Sequence, residues 1–523
     1  MKKLFIALLF LGALASCTKN FERLNQNPYQ ISDEMLSQDF NLVGSPFSGL
    51  LFNINGHQVE EDLCQDSWMG YLNTPTPFVG NVNNTTYYIR WNGFWGRIYG
   101  SVMSPAKQVI QLAKANNLPL FATWAKLVKI LGMSKLTAIH GPVIYSNYGS
   151  TANTILYDKE SDLYPLFFKQ LDSIQTDFAA NKTYKGFVKF DPSYKGDITA
   201  WMKVVNSLRL RLAMRLTKIN PTLAKAEGEK AMADAAGLIS ANSENFNISL
   251  LGNKMYMAVI CFEWDDTRMG AVMESFLLGM KDGRVAKFFQ GPNLSQNAAL
   301  SVYSYKGIRN GAYTDAKIDR VPYSRVSDDF QTVPTRRSIT AAEVAFLKAE
   351  AALRGWNTGT GGGDAKTNYE NGIRLSFADW GAAGVDAYIA DATSKPIDYV
   401  DPKDSRNNFT ASSTITVAWN AADNNELKLE KIMTQKWVNN FTNALESWVD
   451  FRRTGYPKIP HVAKNDSNAD WGVIPANEWI KRMPFVNAER TGAVAAVADA
   501  TTKLGGPDLI STRLWWDTTG PNF

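Results

Sequence analysis

Three acidic residues beside a tryptophan form a dense group of chemically capable side chains in this 523-residue chain. Glu263, Asp265 and Asp266 surround Trp264. A glycosidase needs two carboxyl groups about 5–10 Å apart across a sugar ring, and neighbours in sequence do not establish that arrangement. A tryptophan and a carboxylate also suit reversible binding, because an aromatic face stacks on a sugar and a carboxylate accepts from hydroxyl groups. We therefore predict that Trp264 and Asp266 bind a ligand and that no bond is broken.

Other catalytic patterns are weak. The chain has three histidines, at positions 57, 140 and 461, and none lies in a metal-binding or protease spacing. No G-x-S-x-G motif marks a nucleophile on a strand-to-helix turn. The sequence therefore predicts no catalytic residue and no enzyme.

One acidic stretch resembles the start of a calcium loop. Asp466 and Asp470 have the required spacing, but Trp471 occupies the sixth position, where such loops have glycine. Asn477 stands at the twelfth position, where a bidentate glutamate is usual. We interpret the stretch as a solvated turn and predict no cofactor and no metal site, with calcium as the weaker alternative.

The N-terminus has the pattern of a lipoprotein export signal. A basic start at Met1–Lys3 is followed by a ten-residue apolar run, Leu4–Ala13, which is too short to span a bilayer. The run ends at Leu14–Cys17, which is typical of a bacterial lipobox. This pattern predicts a signal peptide over residues 1–16 and lipidation of Cys17, which would hold the protein on a membrane.

Aromatic residues in two loop-rich regions extend the candidate ligand site. Aromatics make up 12 % of the chain, and the formal net charge of +5 is too small to indicate nucleic-acid binding. Long loops over a helical scaffold commonly carry binding groups, although packing against the core is the alternative for each residue. The candidate ligand-binding residues are Trp68, Tyr71, Trp264, Asp266, Tyr303 and Arg325.

These loops must be positioned by helices. Apolar residues spaced four apart from Leu429 to Leu445, followed by Trp448, predict one helix, or two helices broken near Thr442. Similar periodicity predicts a helical scaffold over about 104–240 and 338–455, with loop-rich regions at about 21–92, 242–335 and 456–523. Three arginines at 209, 211 and 215 fall in one predicted helix, where ion pairing or exposure to solvent is the expected role. Pairing of Cys64 with Cys261 stays open.

Several short sequence motifs are more specific than core packing requires. They include TQKW and ESWVDFRRTGYP near residues 434–457, GDITAWMKVVNSLRLRLAMRL from Gly196, and AAEVAFLKAEAALRGW from Ala341. RMPFVNAER and TRLWWD follow near the end of the chain. Together they resemble the SusD/RagB family of nutrient-binding lipoproteins, over nearly all of residues 17–523.

The resemblance implies a fold and a function. It implies one mainly α domain over residues 17–523, with tetratricopeptide-like helix pairs, a loop-rich binding face and a few short strands. It also implies capture of an oligosaccharide outside the outer membrane and delivery to a SusC-like TonB-dependent transporter. A protein- or peptide-binding scaffold at the outer membrane is the alternative, since tetratricopeptide-like helices commonly bind peptides, and a surface glycosidase is less favoured.

Overall fold

The computed structural model describes residues 38–291, 305–359 and 361–523. The predicted signal peptide, Cys17 and Tyr303 lie outside the described residues. The first five α-helices are α1 (Asn41–Gly44), α2 (Pro46–Phe52), α3 (Phe94–Ile98), α4 (Ser104–Ala115) and α5 (Pro119–His140). They are followed by α6 (Glu160–Ala179), α7 (Ile198–Arg215), α8 (Pro221–Ala233), α9 (Tyr256–Ala258), α10 (Ala271–Gly279) and α11 (Val285–Phe288).

The second half of the chain completes the helical part. Its α-helices are α12 (Ala341–Leu353), α13 (Ala365–Trp380), α14 (Val385–Ala390), α15 (Asn425–Asn439), α16 (Ala444–Thr454), α17 (Asn487–Gly492) and α18 (Val494–Leu504). The strands are β1 (Leu72–Asn73), β2 (Phe246–Ser249), β3 (Arg268–Met269) and β4 (Thr335–Ile339). This mainly helical architecture confirms the predicted fold class.

Helices that follow one another in the chain pack as pairs. The closest pairs are α4 with α5, α7 with α8, and α12 with α13, and α6 packs on both α5 and α7. Small residues permit the tightest approach, since a Cβ built on Gly372 of α13 would lie 2.6 Å from the Phe346 ring of α12. These pairs form the scaffold predicted from helical periodicity.

Trp437, Phe441 and Trp448 form an aromatic seam along two helices near the end of the chain. Thr442, with a φ of 83°, breaks the chain between α15 and α16, so the second of the two sequence interpretations is confirmed. Trp437 and Trp448 are both buried in the core. Phe441 between the helices packs against the rings of Phe288 and Trp380, at centroid distances of 4.7 and 6.2 Å. This seam joins the helical scaffold to the loop-rich regions.

The strands form two small antiparallel sheets. β1 pairs with β3 and places Leu72 opposite Met269. β2 pairs with β4, with a register shift after Phe246. The first sheet links the early loop region to the region around residue 268, so buried residues distant in sequence pack together.

All three predicted loop regions contain more helix than expected, and residues 242–335 include α9, α10 and α11. Residues 21–92 include α1, α2 and a π-helical segment, Gln58–Asp66, in which Glu61 to Asp66 are buried. A π-helix has i→i+5 bonding and leaves no 3.6-residue periodicity, so the sequence pattern missed it. Residues 456–523 include α18, whose buried face is formed by Ala496, Ala500 and Leu504. That face is too weakly apolar to mark a helix in the sequence.

Buried ion pairs hold the scaffold together. Arg215 and Arg211 of α7 both lie near Glu446 of α16, and Arg215 Nη2 is 2.8 Å from Glu446 Oε2. Arg211 also binds Glu343, with Nε 2.8 Å from Oε1. Thr340 caps the start of α12 by accepting from the Glu343 amide, while the Glu343 carboxylate is bound to Arg211. The predicted ion pairing of the arginines in α7 is confirmed.

The two cysteines in the described part of the chain are not joined. Cys64 and Cys261 are both free thiols, and both are buried. The question that the sequence left open is therefore settled against a disulfide in this structure.

Candidate functional site

An open cleft of about 460 Å³ lies where α2, the start of the π-helical segment, the end of β2 and α9 meet. Its wall combines apolar rings and alkyl groups with amide, imidazole and guanidinium groups. A concave surface with a few polar groups among apolar ones is the usual form of a small-molecule site. The residues that line the cleft include Phe52, Asn55, His57, Ile248, Asn253 and Tyr256.

Trp264 stands beside this cleft. Its side chain is 48 % exposed, which is unusual for so large an apolar group. Its ring meets the His57 ring edge-on, with the centroids 5.3 Å apart, and His57 lines the cleft. Lys317 Nζ donates to the Trp264 carbonyl oxygen at 3.1 Å and so fixes the backbone that carries the ring. The structure therefore presents Trp264 to solvent at the edge of a cavity.

Asp266 accepts hydrogen bonds that join the chain segments next to Trp264. The residue is buried, and its Oδ2 accepts from Gln58 Nε2 at 2.7 Å. Its Oδ1 accepts from Thr74 Oγ1 at 3.2 Å and also from Thr76 Oγ1. Both carboxylate oxygens are therefore used by the protein, and Asp266 positions the loop at residues 74–76 relative to the π-helical segment.

Arg325 completes the same group. Its Nη2 donates to Asp265 Oδ1 at 3.0 Å, and Asp265 also pairs with the buried Arg268. Asp265 has a φ of 55°, so the chain turns sharply after Trp264. The fold thus places Arg325 against Asp265, which lies between Trp264 and Asp266 in the chain, and a role of these residues in ligand binding stays a prediction.

Trp68 and Tyr71 do not belong to an open site. Trp68 is 2 % exposed and donates from Nε1 to the Asn84 carbonyl oxygen at 2.9 Å. Tyr71 is fully buried, and its ring stacks on Trp437 at a centroid distance of 5.2 Å. The prediction that these two side chains are available to a ligand is wrong, because their loop packs against the seam formed by α15 and α16.

The acidic group around Trp264 is committed to protein contacts. Glu263 pairs with Lys254 at 2.7 Å, Asp265 pairs with Arg268 and Arg325, and Asp266 is bonded as described above. This arrangement gives no support to a pair of carboxylates facing each other across a sugar.

The possible calcium loop is also tied to protein groups. Asp466 lies 2.9 Å from Lys464 Nζ, and its amide donates to the Thr86 carbonyl oxygen. In the described ranges, no group of three or more His, Cys, Asp or Glu side chains is arranged to hold a metal ion.

The cleft also contains residues that sequence reasoning missed. Burial lowers the pKa of His57 below its ordinary value, despite the opposing charge of Glu60, so the imidazole is neutral at pH 7. Asn55 accepts from Lys135 Nζ at 3.0 Å through its oxygen, which leaves its amide hydrogens for other partners. Asn55 and His57 are neighbours in sequence, but the other walls of the cleft come from residues 97, 248–263 and 336, so no spacing could have grouped the whole site.

Two arginines, Arg97 and Arg336, also line the cleft. Arg97 is held by Glu60, with Nη2 3.1 Å from Oε1. Arg336 pairs with Glu61, and its guanidinium lies 4.8 Å from the centre of the Tyr256 ring. Because each of these cations has an acidic partner, the cleft does not favour a strongly charged ligand.

A small polar groove, with a volume of only about 10 Å³, lies next to Asp266. It is formed by amide and hydroxyl side chains from the two loop-rich regions. Its residues include Asn73, Thr74, Thr76, Asn81, Asn83 and Thr314. Thr74 and Thr76 are shared with the Asp266 network, so the cleft edge and the groove are structurally connected.

A scaffold of packed helices with an open cleft beside an exposed tryptophan defines a ligand-binding protein. Comparison with known families agrees with this class. Residues 23–517 match the SusD-like family model, described as Susd and RagB outer membrane lipoprotein, and the chain belongs to this family. The resemblance to the SusD/RagB family, which was based on short sequence motifs, is therefore confirmed.

Solved structures show the same fold. A chitin-binding SusD homologue from Flavobacterium johnsoniae is 38 % identical, with a TM-score of 0.87, over 92 % of this chain and 100 % of that one. A SusD-like protein from Bacteroides thetaiotaomicron is 30 % identical, with a TM-score of 0.82, over 91 % and 98 %. A SusD homologue from Bacteroides vulgatus is 29 % identical, with a TM-score of 0.85, over 93 % and 99 %. Among curated proteins, none matches the chain.

The family consists of outer membrane lipoproteins. Within residues 38–291, 305–359 and 361–523, no helix has the length and apolar character needed to cross a membrane.

Proposed function

We propose that the protein captures oligosaccharides at the cell surface and delivers them to a SusC-like TonB-dependent transporter. In this proposal, residues 17–523 form one domain, which a lipid on Cys17 anchors to the outer membrane facing the cell exterior. The observation that carries the proposal is Trp264, a half-exposed indole beside a cleft with both apolar and hydrogen-bonding walls. Membership of the SusD-like family supports it.

The site suits reversible binding without bond cleavage. The Trp264 face stacks on the C–H face of a sugar, while the neutral His57 and the amides of Asn55 and Asn253 exchange hydrogen bonds with hydroxyl groups. A carrier must also release its cargo. Dissociation constants between about 1 μM and 1 mM, or roughly −8 to −4 kcal/mol, meet that need.

We further propose that the cargo carries acetamido groups, as in chitin oligosaccharides. The cleft wall includes Phe52, Ile248 and Leu250, which offer an apolar surface to a methyl group. Asn55 and Asn253 offer amide groups to the adjoining carbonyl and N–H. The homologue from Flavobacterium johnsoniae, a chitin-binding protein, gives independent support for this sugar class.

The test is calorimetric titration of the full-length protein in detergent with chitin oligosaccharides and with glucose oligomers of equal length. We expect binding of the acetylated series and at least tenfold weaker binding of the glucose series. The Trp264→Ala variant should lose about tenfold or more in affinity, because a nucleic-acid base stacked on one aromatic contributes about 1–3 kcal/mol and we expect a comparable contribution for a sugar.

Phe523→Ala is the matched control. Phe523 is 45 % exposed, close to the value for Trp264, but its ring lies 4.8 Å from the Arg354 guanidinium, and Arg354 does not line the cleft. Equal losses in both variants would contradict the assignment of the site. Release of reducing sugar by the purified protein would contradict the proposal of a binder without enzymatic activity.

A further inference from the structure

A second groove lies on the helical scaffold and is separate from the cleft beside Trp264. Its volume is about 250 Å³, and it lies between α7, the segment after α8, α12 and α13. No residue lines both cavities. The residues that line the second groove include Lys203, Leu238, Val344, Lys348, Asn371 and Leu375.

Small residues create the space. Ala341 and Ala345 on α12 present only methyl groups to the groove, and Gly237 turns the chain after α8 with a φ of 74°. The larger apolar groups of Val344 and Leu375 stand on the two facing helices, α12 and α13. Val344 is only 2 % exposed, so the narrow apolar bed of the groove is formed by the partly exposed Leu238 and Leu375.

One cation in this groove has no counter-charge. Lys348 is half-buried, and none of the described residues forms an ion pair or hydrogen bond with its ammonium group. Burial lowers its pKa, and no neighbouring carboxylate opposes that effect. Lys203, across the groove, pairs with Glu244 instead. A partly desolvated ammonium without a partner favours an incoming anion, because a charge-assisted hydrogen bond replaces the lost hydration.

We propose that this groove binds a peptide segment of a partner protein through a carboxylate that pairs with Lys348. The exposed amide of Asn371, which has no partner in the described part of the chain, lies on the same groove and can bond the peptide backbone. The apolar bed formed by Leu238 and Leu375 takes one alkyl side chain next to the carboxylate.

The dimensions and chemistry favour a peptide over other ligands. The volume falls below the roughly 300–1,000 Å³ of pockets for drug-sized ligands, so it suits the end of an extended chain. None of the groove's lining residues is aromatic, so it offers no ring on which a sugar could stack. A free organic acid would pair with Lys348 but would leave the apolar bed empty. The inference is independent of glycan capture, because the two cavities share no residue.

The test uses full-length protein in detergent and the acetylated tripeptide Leu-Val-Leu with a free terminal carboxylate. Its amide-capped form and acetate are the comparison probes. By fluorescence competition or calorimetry, we expect the acid to bind at least tenfold more tightly than the amide and than acetate. That preference should fall as sodium chloride rises from about 50 to 300 mM, since ion pairs near a surface are screened.

Lys348→Met should remove the preference for the acid, while Lys348→Arg should keep part of it. Lys366→Met is the matched control, because Lys366 lies on α13 outside the groove and pairs only with Glu370, at 3.8 Å. Unchanged thermal unfolding and glycan binding in each variant would exclude misfolding. Equal affinities for the acid and the amide, or a preference that survives in Lys348→Met, would overturn the proposal. Binding of acetate as tightly as the peptide would assign the groove to small acids instead.

Discussion

Two tryptophans in the loop-rich regions have opposite environments and should respond oppositely to substitution. Trp68 is enclosed, with its ring 4.9 Å from Trp448 and its N–H bonded to Asn84. Trp264 is half-exposed beside the cleft. A buried aromatic contributes to stability through packing, whereas an exposed one contributes little and is free for ligands.

We expect Trp68→Ala to lower the free energy of unfolding by about 3–5 kcal/mol, because it leaves a large cavity in the core. The folded fraction should still bind glycan with unchanged affinity. Urea denaturation and titration of the same sample measure the two effects. Trp264→Ala should show the reverse behaviour, with a change in unfolding free energy within about 0.5 kcal/mol. Loss of binding in Trp68→Ala at full folding would contradict this separation.

Close helix packing depends on glycine at the element scale. A Cβ on Gly372 would lie 2.6–2.9 Å from three atoms of the Phe346 ring, closer than real Cβ contacts allow. We expect Gly372→Ala to destabilise the protein by about 1–3 kcal/mol, because the overpacking outweighs a gain in helix propensity of up to about 1 kcal/mol. Urea denaturation gives the measurement.

Gly96 of α3 provides the control for that substitution. Nothing lies within 4 Å of a Cβ built there. Gly96→Ala should therefore be neutral or slightly stabilising, by up to about 1 kcal/mol. Destabilisation of both variants by the same amount would show that helix packing is not the cause.

The sequence predicted regular elements well and cavities poorly, for a physical reason. The pairs α12–α13 and α15–α16 follow from apolar spacing, which is a local signal. The cleft could not be found in this way, because His57, Asn253 and Tyr256 meet only in the folded chain. Trp68 was misassigned because a buried and an exposed aromatic look the same in a sequence that lacks helical periodicity.

At the scale of the whole molecule, buried carboxyl groups divide into two sets. Burial raises the pKa of Asp66 to about 7, with a further contribution from Glu61, and burial raises that of Glu160 to about 7. For Glu350 and Glu446 burial acts in the same direction, but adjacent arginines outweigh it and lower each pKa to about 2. The two sets therefore change stability in opposite directions as the pH falls.

We expect the protein to be more stable at about pH 5 than at pH 7.5, and to lose stability below about pH 4. Between pH 7 and 4 the folded state binds protons at Asp66 and Glu160 that the unfolded chain does not, so stability rises as the pH falls. Below the unfolded pKa of 4.5, Glu350 and Glu446 reverse the trend, because only the unfolded chain takes up protons there. His140, whose pKa burial lowers to about 3, opposes the rise below pH 6.5.

Urea denaturation at pH 7.5, 5 and 3 tests this profile. In Asp66→Asn the gain between pH 7.5 and 5 should shrink, because one proton uptake is removed. A steady decrease in stability from pH 7.5 to 5 would show that His140 and the other histidines dominate instead.

The two enclosed thiols make the protein convenient for site-specific labelling. Burial raises the pKa of Cys64 to about 12 and that of Cys261 to about 11, so neither forms the reactive thiolate at neutral pH. With Cys17 acylated as proposed, maleimide should modify these thiols only after denaturation, as mass spectrometry would show. A cysteine introduced at the 81 % exposed Val79 would then carry a single fluorophore, and its emission could report cargo arrival and release in real time.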